Sequence, residues 1–171
     1  MSITRSLANF PQIPTLRLRI DPLLGGDVSA FRRMTDDPFI TDVVDFLPTP
    51  FTELDALKLL GSQDENNRFL GVWLGKELVG TVGIHLHGED RLEIGYWFGT
   101  RYQGRGYAYE ATGAVIAELR QSYPELEINA ECRLENAASW KLLQKLGFRP
   151  TGERGHRQGR ELLVIPRALP K

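Results

Sequence analysis

The sequence is poor in several features, and each shortage excludes something. Its 171 residues hold a single cysteine, Cys132. An internal disulfide is ruled out, and a reducing compartment, the cytoplasm, is the expected setting. His85, His87 and His156 are the only histidines, and no spacing supplies a third metal ligand, so no metal is expected. A formal net charge of −1 leaves no global electrostatic case for nucleic acid. No apolar run nears membrane-spanning length, and residues 1–14 lack the basic-then-apolar order of a secretory leader, so no membrane partner is expected. Repeats, low-complexity tracts and linkers are missing. So are the Gly-Lys-Ser/Thr of a nucleotide-binding P-loop and the third glycine of a dinucleotide fingerprint, which disfavours ATP and NAD.

What remains is an ordinary globular composition, 42% hydrophobic and 25% charged. It predicts one domain over residues 15–171, preceded by a tail or edge extension over residues 1–14. Charge is uneven. Residues 36–65 are acidic, with Asp42 and Asp45 among them, and residues 141–171 are basic. Solvated surface accounts for most such side chains. The functional alternative is an acidic approach for a cationic substrate and a basic side for a polyanionic one.

Periodicity sets the elements. Thr15–Ile20 alternates apolar and polar residues, as a half-buried strand does. Asp27 and Thr52 are expected to cap two helices. In the first, Val28, Phe31 and Met34 face inward; in the second, Leu54, Leu57 and Leu60. A loop with at most one helical turn spans residues 35–50. Residues 69–74, 78–86 and 91–98 read as an antiparallel meander. A helix then runs to about Ser122, with Ala108, Ala111, Val115 and Leu119 on its buried face. A strand at 126–131, a helix from cap Asn136 to Leu146, and two strands near 148–153 and 159–165 complete the chain. The fold class is α+β, a mixed α/β arrangement. The C-terminal strands offer a surface for a homodimer.

The most informative stretch joins the meander to its following helix. Arg101-x-x-Gly104-x-Gly106 places two glycines where a strand turns into a helix. Converging N–H groups, together with the positive end of the helix dipole, make a seat for phosphate. Arg101 and Arg105 flank the glycines and are positioned to add charge-assisted bonds.

That motif, following Glu93-Ile94-Gly95-Tyr96-Trp97, resembles the coenzyme A pyrophosphate motif of the GNAT superfamily of N-acetyltransferases. Asn136-x-x-Ser139, then Lys145-Leu146-Gly147-Phe148, is similar to that superfamily's second motif. Thr15–Arg19 resembles its opening strand, and the likeness spans residues 15–165. The serine form and the Tyr-Trp pair look most like the branch containing ribosomal-protein N-terminal acetyltransferases. The resemblance implies a mostly antiparallel sheet splayed between its fourth and fifth strands, flanked by helices, with acetyl-CoA in the splay as co-substrate. It further implies that the pantetheine arm lies along Tyr96, Trp97 and Phe98. The pyrophosphate would sit on Gln103, Gly104, Arg105, Gly106, Tyr107 and Ala108, with Arg101 beside it, and Asn136 and Ser139 would touch the pantetheine.

Acetyl transfer to an amine needs a neutral amine and a thiolate that can leave. An α-amino group, with a pKa of about 7.7–8.0, is partly neutral near pH 7.4, whereas a lysine near ~10.4 is almost wholly charged. Glu93 is the candidate base, against the reading of a surface glutamate paired with a neighbouring arginine. Ser139 is the candidate proton donor to sulfur, against a plain helix-capping hydroxyl. Many relatives carry a tyrosine further along this helix; here it contains Trp140 and no tyrosine. His85 reads as part of an exposed sheet face, with substrate lining as the alternative. The expected acceptor is a peptide N-terminus or a small cationic amine, attacked directly in a ternary complex. A polyamine, an amino acid or an aminoglycoside is the alternative acceptor, and a non-catalytic acyl-CoA sensor is the alternative class.

Overall fold

One sheet organises the chain, and its strands are ordered almost as they occur in the sequence. The computed structural model describes residues 6–167. The expectations for residues 1–5 of the tail and for residues 168–171 lie outside the described residues. The sheet runs β1 (Ile13–Pro14), β2 (Arg19–Pro22), β3 (Asn67–Leu74), β4 (Glu77–His87), β5 (Arg91–Phe98), β6 (Glu127–Cys132), β8 (Glu161–Ile165), β7 (Arg149–Arg154). Every adjacent pair is antiparallel except β5 and β6, which run parallel. Helices α1 (Val28–Thr35), α2 (Pro38–Thr41) and α3 (Glu53–Gly61) lie on one side. Helices α4 (Tyr107–Ser122) and α5 (Ala137–Lys145) lie on the other. This is the mixed, mostly antiparallel α/β fold expected from the sequence.

The period-2 alternation of β5 sorts its side chains between two cores. Leu92, Ile94 and Phe98 join Ala111, Val115 and Leu119 of α4. Trp97 joins Phe31, Met34, Ala56 and Leu60 of α1 and α3. Glu93 therefore points to the α1–α3 side and Tyr96 to the α4–α5 side. β5 and β6 pair over three residues only, from Arg91↔Glu127 to Glu93↔Asn129. Beyond that the strands part, and the gap is the splay.

Three expectations need correction. Thr15–Ile20 is not one strand: residues 15–18 form the tight turn between β1 and β2, held by Thr15 N–H to the Leu18 carbonyl at 2.8 Å, and Leu16 is exposed at its tip. Leu54 and Leu57 face outward; Ala56 and Leu60 are the buried residues of α3. Of the two readings of residues 1–14, the edge extension and not the tail describes residues 6–14: Leu7 and Phe10 are buried in the main core and Ile13–Pro14 is the edge strand. Of the two expected caps, Thr52 forms a full capping box with Asp55, worth about 0.5–2 kcal/mol. Asp27 caps the preceding 3-10 turn instead, accepting from Leu24 N–H at 2.8 Å.

Candidate active site

Two cavities meet at the splay. The larger, about 610 Å³, lies on the α4–α5 side. The smaller, about 100 Å³, runs through the gap towards the α1–α3 side. Both are bordered by Tyr96, Trp97, Arg133, Asn136 and Ser139.

At the far end of the larger cavity is the glycine-rich turn. Gly104 and Gly106 sit at φ +76° and +81°, where an L side chain is strained. Among the described residues, the amides of residues 104–109 have no backbone acceptor. They open a sixteen-residue helix whose dipole adds positive potential at the same point. Such a cradle fits a pyrophosphate. The β1–β2 turn braces it from outside. Arg17 Nε pairs with Glu110 at 2.7 Å, and its Nη1 donates to the Arg105 carbonyl at 2.9 Å. Its guanidinium also lies 4.6 Å over the Tyr107 ring. Burial works against the Glu110 charge, but hydrogen bonds from Thr15 and Arg17 outweigh it and hold this carboxyl below the usual glutamate range.

All the expected donor-binding residues border the larger cavity except Arg101 and Arg105. Arg101 lies 5.4 Å over the Tyr102 ring instead. The indole of Trp97 belongs to the α1–α3 core, where its N–H donates to Thr35 at 3.0 Å. Asn136 caps α5 by accepting from Ser139 N–H at 3.2 Å. Sequence reasoning missed Phe39, Val43, Tyr109 and Leu142, which line the apolar side of this cavity.

Where the cavities meet, Tyr96 Oη stands 2.8 Å from Ser139 Oγ. Burial pushes the Tyr96 phenol up to about 12, so it is a neutral hydroxyl at physiological pH. A tyrosine hydroxyl thus meets Ser139 from β5, although α5 holds none. Its place on the strand, one residue before Trp97 and of opposite parity to Glu93, was the available signal. Cys132 is buried nearby and unpaired, and burial raises its thiol.

Glu93 lies in the smaller cavity and is only 5% exposed, so it is not a surface residue, but the arginine pairing of the alternative reading is present. Arg157 Nη2 binds its Oε1 at 2.8 Å, and His87 Nε2 lies 3.3 Å from its Oε2. Arg157 also donates through Nη1 to Glu131 at 3.2 Å. Burial disfavours the guanidinium charge, yet the two carboxylates more than offset this. His85 is part-buried, not on an open face. Its Nδ1 is 3.0 Å from Asn67 Oδ1 and its ring meets Phe69 edge-on, while burial lowers its basicity.

The acidic approach divides. Asp42 is exposed and borders neither of these cavities. Asp45 borders the smaller one, but its oxygens are held by Arg133 and by Arg160 Nε at 3.2 Å. Arg160 also donates to the Val43 carbonyl at 2.8 Å. Burial raises the Asp45 carboxyl, but the two arginines together outweigh it and hold it below the ordinary aspartate range. These bonds strap residues 43–46 across the gap, with Phe46 edge-on to Trp97. Among the described residues, no cluster of three His, Cys, Asp or Glu is placed to hold a metal ion, and no helix is long and apolar enough to cross a membrane.

A sheet parted between two strands, with an amide cradle on one side and a buried carboxylate on the other, defines an acyl-transfer scaffold. Comparison with known proteins makes this specific. Residues 17–149 match the family model described as the acetyltransferase (GNAT) domain. The chain is 32% identical over 148 residues to the uncharacterized N-acetyltransferase YnaD of Bacillus subtilis (strain 168), covering 82% of this chain and 84% of that one. It is 30% identical to the N-acetyltransferase p20 of Bacillus licheniformis, covering 81% and 82% respectively. A GNAT-family acetyltransferase from Bacillus anthracis superposes with TM-score 0.76 at 26% identity, over 90% of this chain and 96% of that one. RimL, the ribosomal L7/L12 alpha-N-protein acetyltransferase solved with coenzyme A, shares the fold with TM-score 0.79 at 16% identity, over 90% and 97%. The chain belongs to the GNAT family and is an acetyl-CoA-dependent N-acetyltransferase, moving an acetyl group to an amine.

Proposed function

We propose that the acceptor is a primary amine, such as a peptide α-amine, attacking acetyl-CoA directly in a ternary complex, with Glu93 as base and the Ser139–Tyr96 pair as proton donor. The observation that carries this reading is the placing of both groups on one cavity, reached from opposite sides of the gap. Acetyl-CoA brings an acetyl thioester. The amides after Gly104 would hold its diphosphate, and the backbone of Tyr96–Phe98 its pantetheine arm. Binding both substrates at the gap removes much of the entropic barrier. Glu93 takes the amine proton as the C–N bond forms, and Ser139 donates to the departing sulfur while Tyr96 orients it; water in the cavity then returns a proton to Ser139. The leaving thiol, of ordinary pKa about 8.5, needs no strong acid.

An α-amine suits the charge of the smaller cavity better than a polycation does. Asp45, Glu93 and Glu131 are each paired with arginine, so no uncompensated negative charge is left to collect several ammonium groups. The relatives solved as ribosomal-protein acetyltransferases support the same choice. The buried, unpaired Cys132 fits a cytoplasmic setting. Mass spectrometry after incubation with acetyl-CoA and a mixed acceptor panel tests the reading. Acetylation of peptides with free N-termini, but not of N-terminally blocked ones, is expected. Preference for polyamines or aminoglycosides would replace it.

A further inference from the structure

We propose that His87 carries the acceptor's proton from Glu93 to solvent. This rests on Glu93 being the base. A base that takes one proton per turnover must lose it before the next. Glu93 is buried, and an acceptor amine would displace water from the small cavity beside it. An exit that stays open with the acceptor bound passes through a group touching the carboxylate. Among the described residues, two side chains pair with it, Arg157 at Oε1 and His87 at Oε2. A guanidinium has no lone pair free to accept a proton. An imidazole has one.

His87 ends β4, directly across from Arg91 of β5. Its side chain is 46% exposed, so the ring reaches from the carboxylate to water. The neighbouring His85 does not serve, since its Nδ1 is occupied by Asn67 and its ring is wedged against Phe69. The charged and titratable groups around His87 come from every adjoining element. They are His85 on β4, Glu89 and Asp90 in the following turn, Arg91 and Glu93 on β5, and His156 and Arg157 between β7 and β8. The His156 ring lies 6.3 Å away.

The step balances. As nitrogen bonds to the acetyl carbon, its proton passes to the Glu93 carboxylate. It moves from Oε2 to His87 Nε2, and the imidazolium releases its Nδ1 proton to water. The carboxylate is then restored, and proton exchange of the exposed imidazole with water returns the tautomer with Nε2 free. His87 touches no substrate; it acts through Glu93.

The test compares His87→Ala, His87→Gln and Glu93→Gln using acetyl-CoA and a peptide with a free N-terminal alanine. The relay predicts that kcat falls about tenfold or more in both His87 variants. The KM for acetyl-CoA should hold, and the pH dependence of kcat should change. Added imidazole should restore the alanine variant. Unchanged kcat and profile in both His87 variants would overturn the relay, as would a loss that imidazole does not restore. If Glu93→Gln is impaired while the His87 variants are not, the relay alone fails; if Glu93→Gln keeps full activity, the base assignment fails with it. Histidine side-chain NMR decides the matter without turnover. With the contact in place, Glu93→Gln changes the His87 ring signals at a fixed pH, and unmoved signals refute it.

Discussion

Tyr96 and Ser139 join the two sides of the gap through a 2.8 Å contact between their hydroxyls, one on β5 and one on α5. If the pair acts as a unit on the leaving sulfur, its members are not independent. Ser139→Ala should lower kcat by about ten- to a hundredfold and Tyr96→Phe by about tenfold, with little change in the KM for acetyl-CoA. The double variant should be no worse than Ser139→Ala alone. Losses that simply multiply would show that the hydroxyls work separately.

The cradle depends on two left-handed glycines. Gly104→Ala and Gly106→Ala should each strain the turn by about 1–2 kcal/mol. At Gly104 a Cβ meets nothing within 4 Å, so only the backbone is affected; at Gly106 it also comes within 3.3 Å of Arg17. Calorimetry with coenzyme A should therefore show weaker binding in both and the larger loss at Gly106. Equal affinity to the parent would show that the turn does not hold the donor.

The Arg17–Glu110 brace makes a pH prediction. Glu110 is depressed below its ordinary value, so its contribution to stability is present above the unfolded pKa of about 4.3 and is lost as pH falls through the folded one. Urea unfolding of the parent and of Glu110→Gln should differ by a constant margin between about pH 6 and 7. The margin should close as the solution is taken below about pH 4. A margin independent of pH would mean that the brace does not use the charge.

Asp42 and Asp45 are separable. Asp42→Asn should leave acceptor kinetics alone, because the side chain borders neither catalytic cavity. Asp45→Asn weakens the strap to Arg133 and Arg160 and should raise the acceptor KM several-fold, with coenzyme A affinity retained. An Asp42 effect as large as that of Asp45 would revive a general acidic funnel.

These residues also show what a sequence discloses. The glycine turn was legible because few other residues tolerate its backbone. The meander was legible because β3, β4 and β5 are apolar runs joined by short, glycine-containing turns. Thr15–Ile20 alternates like a strand, yet Thr15 folds the chain back by binding Leu18, a local bond that competes with strand geometry. In α3 Leu60 is buried as expected, but the other buried position is Ala56, too small to announce itself beside Leu54 and Leu57. Glu93 was found by its motif, but its arginine lies 64 residues away in a loop, and no local pattern encodes that meeting. The Tyr96–Ser139 contact was hidden for the same reason: each residue was visible alone, and their pairing required the parted strands.

The three-residue seam between β5 and β6 has a practical consequence. The last quarter of the polypeptide is hinged to the rest of the sheet by a short ladder, and a donor lodged in the opening would clasp both parts. Heat resistance should then track how much coenzyme each preparation carries, by RT ln(1 + [L]/Kd). Two batches of identical sequence would melt at different temperatures until both are stripped or both are saturated.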